Sequence, residues 1–510
     1  MGPSKVTMTQ PRVYGYHRFY GAWIPLWLPK SSWVISVLLV FCSCITSTTF
    51  GYDASMVNGL NILPSYTSYF HLTPATTGLN TSSLWIGGCL AGLTYGRITD
   101  VLGRRPALFY AALLTLIAVL IQTASQNVAM FVCARILLGF GTSASGLTGP
   151  AYLAETLPTT RWRAWGLGVF NDFYYVGGLI AAGITYATSF NANSTWAWRV
   201  PSLIQGVFSL ICIIIIPFIP ESPRWLIYQG RNQEAREVLA RTCSDGDVGS
   251  KVVLEQFREI EAAVEWEREH AGEQLGVREL VRTRGARKRV LLAVSAAVFS
   301  TIAGNVISSY YLGTMLTNAG ITSSTTQLQI NIILNAFCLV CSLFGTWIID
   351  VWGRKPTAVI STALLTIFLF MVGGLTKAFG NSANTSGIYG TVAAIFLFQG
   401  TYSIGWTPIL YLYPPEVLNY AIRANGMGVF QFWLNATAIL IVFTMPIALA
   451  KLSWKTYMIN GAWDLVMLGL IMYYWVETKG MTLEEIDEAI DGKGRRGGEE
   501  EGEGEKVNGM

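Results

Sequence analysis

The chain has 510 residues, 52% of them hydrophobic and 13% charged, a mean hydropathy of +0.42 and a formal charge of +4. So much apolar surface exceeds what a soluble core can hide, so lipid must solvate it. The basic residues stand at the ends of apolar runs and form no cluster, which excludes a nucleic-acid binder. Three histidines (His17, His71, His270) and eight cysteines without CxxC spacing exclude a metal centre, and the cysteines read as small packing residues.

Residues 1–32 carry Lys5, Arg12, Arg18 and Lys30 with no small-residue cleavage site, so the first apolar run is expected to be a retained span rather than a signal peptide. Runs long enough to cross about 30 Å of hydrocarbon fall near 33–58, 82–100, 106–124, 128–150, 165–188 and 199–219. Six more fall near 288–317, 328–350, 357–378, 389–413, 421–449 and 456–476. The fold class is therefore an all-α membrane protein of twelve helices in two six-helix bundles, 33–220 and 288–476.

Between the bundles, 221–287 turns polar, and 234–240 and 253–269 show helical spacing with i,i+4 opposite charges, as a linker of short surface helices would. The tail, 477–510, loses all periodicity from about 492 and is expected to be disordered there. The frame Asp-Val-x-Gly-Arg-(Arg/Lys)-Pro occurs at 100–106 and again at 350–356, 250 residues apart, so the bundles are copies of one unit.

Arg97, Arg104, Arg105, Arg161, Arg163, Arg354, Lys355 and Arg423 crowd the short connections of one side, which the positive-inside rule assigns to the cytoplasm, with both termini there. Sequons at Asn80, Asn193 and Asn384 fall on the other side, as glycosylation in external loops requires. No phosphate-binding loop or nucleophile elbow is present, so an enzyme or an ATP-driven pump is not expected, nor any cofactor beyond a coupling proton.

Further motifs are Gly51-Tyr52-Asp53, the stretch from Arg135 to Gly141, Pro220-Glu221-Ser222-Pro223-Arg224-Trp225, Tyr413-Pro414-Pro415-Glu416 with Arg423, and Glu477-Thr478-Lys479-Gly480. In their order and placement these resemble the sugar porter family of the major facilitator superfamily, closest to its fungal lactose and hexose permease branch. The resemblance implies a monomeric plasma-membrane carrier of a mono- or disaccharide, driven by proton symport and working by alternating access in the lipid bilayer.

Asp53 would be the proton-exchanging carboxylate, with Arg135 competing with the proton for it; pairing with arginine favours its charged form and separation the neutral one. Asp100, Arg104, Arg105, Glu155, Arg161, Arg163, Glu221, Arg224, Asp350, Arg354, Glu416, Arg423 and Glu477 would form a cytoplasmic charge network that latches the outward-facing state. Sugar contacts would come from Asn305, Tyr310 and Tyr311 in the seventh span, Asn331 and Asn335 in the eighth, Trp406 and Tyr411 in the tenth, and Gln431 and Asn435 in the eleventh. The chain departs from the family at Ser300 and Thr301, at Tyr411 and at Asp172, which takes the place of a sugar-binding glutamine. Those departures leave open a carrier of another solute, such as a quinate-like acid, a polyol or an exported metabolite, and a sugar sensor remains a third reading.

Overall fold

The computed structural model describes residues 24, 26–157, 160–191, 194–269, 280–380, 382, 384–418, 420–481 and 490, with the backbone alone at 160–165, 167–168, 266–269, 350, 411 and 420–424. The first six spans are Ser32–Ile62, Pro74–Leu102, Arg104–Thr123, Val128–Thr156, Thr160–Ser189 and Trp196–Ile215. The seventh comes in two pieces, Arg284–Ile302 and Asn305–Asn318. Ser324–Trp352, Arg354–Phe379, Thr385–Val417, Tyr420–Leu452 and Trp454–Tyr474 complete the twelve. By length and composition alone, eight stretches are apolar enough to cross a membrane. The second, fifth, tenth and twelfth spans fall outside that set.

Local chemistry sets the ends. The second span starts at Pro74, eight residues before the expected start at 82, because Thr73 and Thr76 close a reciprocal cap and Pro74 is preset for the first turn. This corrects the reading of Asn80 as a loop sequon: Asn80 lies inside that helix, only 1% exposed, with its amide donating to the Tyr66 hydroxyl at 3.3 Å. Asn384 is exposed and caps the tenth span, accepting from the Gly387 N–H, whereas Asn193 lies outside the described residues. The seventh span, expected as one run, breaks at Ala303–Gly304, where Gly304 takes φ +90°.

Within the first half, the first span packs on the fifth and the fourth packs on the second and third. Gly51 and Gly177 let the first and fifth spans touch backbone to backbone, with no room for a Cβ on either. The second half repeats the scheme among the eighth, ninth, tenth and twelfth spans. The halves meet along three seams: second on eleventh, fifth on eighth, and first on the outer piece of the seventh. The linker helices Pro223–Tyr228, Asn232–Cys243 and Lys251–Glu269 gather on one face around Trp225, Leu226, Val238, Leu239, Val253 and Phe257. That linker face and the opposite face orient everything below.

Candidate functional site

A small polar cavity lies between the halves. Its walls come from the first span (Gly51, Ser55, Asn58), the fifth (Tyr174, Tyr175), the seventh (Ser308, Ser309), the eighth (Asn331, Asn335) and the tenth (Gln399). Amides and hydroxyls are already linked across it. Asn335 Nδ2 donates to Asn331 Oδ1 at 3.1 Å and Asn58 Nδ2 to the same oxygen at 3.2 Å. Tyr175 Oη lies 2.7 Å from Ser403 Oγ, and Ser308 Oγ donates to Gln399 Oε1. No charged side chain is among the lining residues.

The helix that lines one wall also carries the buried ion pair. Arg135 donates to both oxygens of Asp53, at 2.9 and 3.0 Å, and Gln205 Nε2 adds a third bond at 3.1 Å. Asp53, Arg135 and Gln205 are each 0% exposed. A two-pronged guanidinium and an amide replace the water that this carboxylate lost on burial. Toward the linker face, one to two turns from the pair, a small cavity is lined by the hydroxyls of Thr46, Thr49, Thr115, Thr142, Ser145 and Ser209.

At the opposite face the halves close on each other. Asn58 Oδ1 accepts the Leu312 N–H at 3.1 Å, Asn61 Nδ2 donates to the Tyr310 carbonyl at 3.2 Å, and Gln329 Nε2 donates to Tyr186 Oη at 3.1 Å.

The linker face carries two copies of one charge cluster. In the first half the Glu221 carboxylate takes the N–H groups of Arg104 and Arg105 at 2.9 and 3.2 Å, while Arg104 Nη2 donates to Glu155 at 2.8 Å and Ser222 Oγ to Glu155 at 2.6 Å. In the second, Glu477 takes the N–H groups of Arg354 and Lys355, each at 2.9 Å, while Arg354 Nη2 and Thr478 Oγ1 bond Glu416 at 2.8 and 2.6 Å. Each carboxylate sits on a helix N-terminus, where unpaired N–H groups favour an anion. Gly103 and Gly353, at φ +96° and +97°, make the turns, and a Cβ on either would run into the glutamate. Burial pushes the Glu221 carboxyl up to about 7, against the pull of the N–H groups of Ser222, Arg105 and Arg104.

Asp100 pairs with Arg104 at 3.3 Å, and Arg224 lies on the short helix Pro223–Tyr228. The side chains of Arg161, Arg163, Asp350 and Arg423 lie outside those described. The ion pairs Arg104–Asp100, Arg104–Glu155 and Arg354–Glu416 each lie within one half.

Of the residues expected at the sugar, Asn331 and Asn335 are among those that line the cavity, and the other described ones are not. Asp172 faces the eighth span, where its Oδ1 accepts from Ser342 and, at 3.5 Å, from Thr346, so that oxygen is engaged along a seam. Gln431 and Asn435 face Gly92 and Gly88 of the second span, a seam where glycine lets amides in. Trp406 is 0% exposed and packs edge-on against Trp475 inside the second half, because the aromatic core there is Tyr413, Trp475 and Trp406. Thr301 donates to the Ala297 carbonyl of its own helix at 2.9 Å. Tyr311 Oη reaches the Val442 carbonyl at 2.6 Å, and Tyr310 is buried beside it. Asn305 opens the outer piece of the seventh span, and the side chain of Tyr411 lies outside those described.

Sequence reasoning missed Gln205, the one amide in the sixth span, along with Asn58, Tyr174, Tyr175 and Gln399. It also missed Asp464, a carboxylate in the middle of the twelfth span, although the rule applied to Asp53 selects it equally.

Twelve spans in two like bundles, enclosing a polar cavity beside a membrane-buried ion pair, define a membrane transporter. The family model described as "Sugar (and other) transporter" matches residues 39–490, and the chain belongs to that family. The high-affinity glucose transporter of Kluyveromyces lactis is 29% identical over 468 residues, covering 88% of this chain and 84% of the relative. The MFS glucose transporter mfs1 of Aspergillus flavus is 28% identical over 470 residues, covering 87% of each. Among solved structures, the major facilitator superfamily proton:xylose symporter XylE bound to 6-bromo-6-deoxy-D-glucose aligns with a TM-score of 0.72 at 20% identity. It covers 90% of this chain and 100% of that one, and shows that the fold is shared.

Proposed function

We propose that the protein carries a neutral polyhydroxylated solute, a mono- or disaccharide, across the plasma membrane together with a proton, with the linker face and both termini cytoplasmic. The observation that carries the proposal is the buried Asp53–Arg135 pair, whose acid stands on a helix that walls the cavity: Gly51, Ser55 and Asn58 flank Asp53 on the same span. A proton arriving at Asp53 releases Arg135 and loosens the contacts of the first span, so occupancy and conformation are linked.

The neutral lining favours a sugar over a quinate-like acid, because asparagine and glutamine amides match ring hydroxyls two at a time and no cation is present to hold a carboxylate. Closure at the opposite face corresponds to a carrier shut toward the outside. Alternating access then requires the first and seventh spans to part.

In reconstituted vesicles, Asp53→Asn is expected to abolish uphill accumulation of labelled hexose driven by a pH gradient while sparing counterflow exchange. Accumulation at the wild-type level in this variant would remove Asp53 from the coupling. Lack of flux for every hexose, pentose and disaccharide tried would reject the sugar.

A further inference from the structure

The second half contains its own buried acid. Asp464 stands midway along the 21-residue twelfth span and is 0% exposed. Asn460, one turn away on the same helix, gives it one amide at 3.3 and 3.4 Å from the two carboxyl oxygens. Among the described residues no cation lies within ion-pair distance of it.

The surrounding elements place their charges at the membrane edges. The ninth span has Arg354 and Lys355 at the linker end and Lys377 at the other, over the Trp454 ring at 4.7 Å. Lys451 ends the eleventh span, Lys455 begins the twelfth, and Lys288 and Arg289 lie near the linker end of the seventh. Tyr457 stands two turns away on the same helix, and Tyr402 of the tenth span donates its hydroxyl to the Ser300 carbonyl. A carboxylate in hydrocarbon with one neutral donor takes up a proton rather than keep its charge.

The break in the seventh span lies against this acid's only described donor. A Cβ on Gly304 would stand 3.1 Å from Asn460 Nδ2, and the glycine already holds φ +90°. Beyond the break, the outer piece carries Tyr310 and Leu312, which close the opposite face against Asn61 and Asn58. The side-chain Oδ1 of Asn305, the first residue past the break, is buried without a hydrogen-bond partner among the described residues. Asn460 therefore connects Asp464 to the hinge of a gating helix.

We propose that Asp464 is a second proton-binding site, occupied while the seventh span is broken at Gly304 in the closed arrangement, and that reshaping the break to open that face transfers its proton to entering water. The inference rests on the transporter reading but not on Asp53 being the coupling acid.

Infrared spectroscopy of the purified full chain in lipid nanodiscs tests occupancy: the carbonyl band of a protonated carboxyl at neutral pH should be lost in Asp464→Asn and kept in Asp53→Asn. If Asp464→Asn fails to fold, Asp464→Glu should shift the same band. A band unmoved by either change overturns the proposal.

Spin labels on the outer ends of the first and seventh spans test coupling. In Asp53→Asn the distance between them should still change with pH, and the change should vanish when Asp464→Asn is added. A distance that does not respond to pH in Asp53→Asn, or responds equally in the double variant, overturns the link to the break. Failure of proton-driven transport appears separately, as wild-type accumulation that ignores the pH gradient.

Discussion

At the linker face the two halves repeat each other residue for residue, and in the membrane interior they diverge. Glu221, Glu155 and Arg104 around Gly103 have their counterparts in Glu477, Glu416 and Arg354 around Gly353, with matching hydrogen bonds and φ angles of +96° and +97°. In the interior the first half holds Asp53 on its first span in a three-bond grip from Arg135 and Gln205, whereas the second places Asp464 on its last span with one amide. The duplicated ends do a mechanical task that both bundles share, fastening helix N-termini to the chain that leaves the bundle. The interiors are free of that shared task, so each bundle holds its acid in its own way, Asp53 by a cation and an amide and Asp464 by an amide alone.

Breaking the first-half grip should have the largest effect. Arg135→Leu leaves Asp53 buried without its cation, which costs about 3–5 kcal/mol in comparable sites. The melting temperature in detergent should drop by many degrees, and adding Asp53→Asn should restore much of it. Equal losses in the single and double variants would show that the pair contributes packing and no charge coupling. Asp464→Asn should shift the same melting curve little, because it replaces a neutral group with another.

The repeated turns come next. Gly103→Ala and Gly353→Ala each force a side chain into a positive-φ turn and against a glutamate, a strain of about 1–3 kcal/mol. If the clusters are mechanical equivalents, the two losses of thermal stability should agree within experimental error. A large difference would mean that one half depends on its cluster for more than fastening.

How much was readable beforehand follows the same division. The linker-face clusters were legible because their chemistry lies within short motifs: a glycine, an arginine and a glutamate at fixed positions next to apolar runs. Asp53 and Arg135 were legible for a related reason, charge where charge is expensive. The cavity was harder, because an amide in a membrane helix meets solute or a neighbouring helix depending on rotation about the helix axis. Asn331 and Asn335 turned inward, whereas Gln431 and Asn435 turned to glycines of the second span. Trp406 is aromatic in a core of aromatics, and sequence cannot tell a stacking platform from packing. The break at Gly304 was hidden because a single glycine in an apolar run leaves hydropathy nearly unchanged.

That division gives a smaller test of the site. Gln399→Ala and Asn331→Ala remove cavity hydrogen bonds worth about 0.5–1.5 kcal/mol each, so KM for the transported sugar should rise several-fold to about tenfold. Asn435→Ala acts on a seam between the halves and should change the rate of exchange more than the KM. The reverse pattern would move the site to the second and eleventh spans.

The smallest expected effect is a pH slope confined to the first-half cluster. Burial raises the Glu221 carboxyl from an ordinary value of about 4.5 to about 7, so between these values the folded protein holds a proton that the unfolded chain has lost. The native state then binds more protons, and stability must decline as pH rises through that window and level off above it. Below about 4.5 both states are protonated and this contribution is constant. Glu221→Gln keeps an acceptor for the Arg104 and Arg105 N–H groups but removes the titration, so melting temperatures between pH 5 and 7.5 should fall less steeply than those of the wild type. An unchanged slope would mean that the hydrogen bonds from the helix N-terminus compensate fully for the burial of Glu221, and that this cluster fastens its helix with no sensitivity to pH.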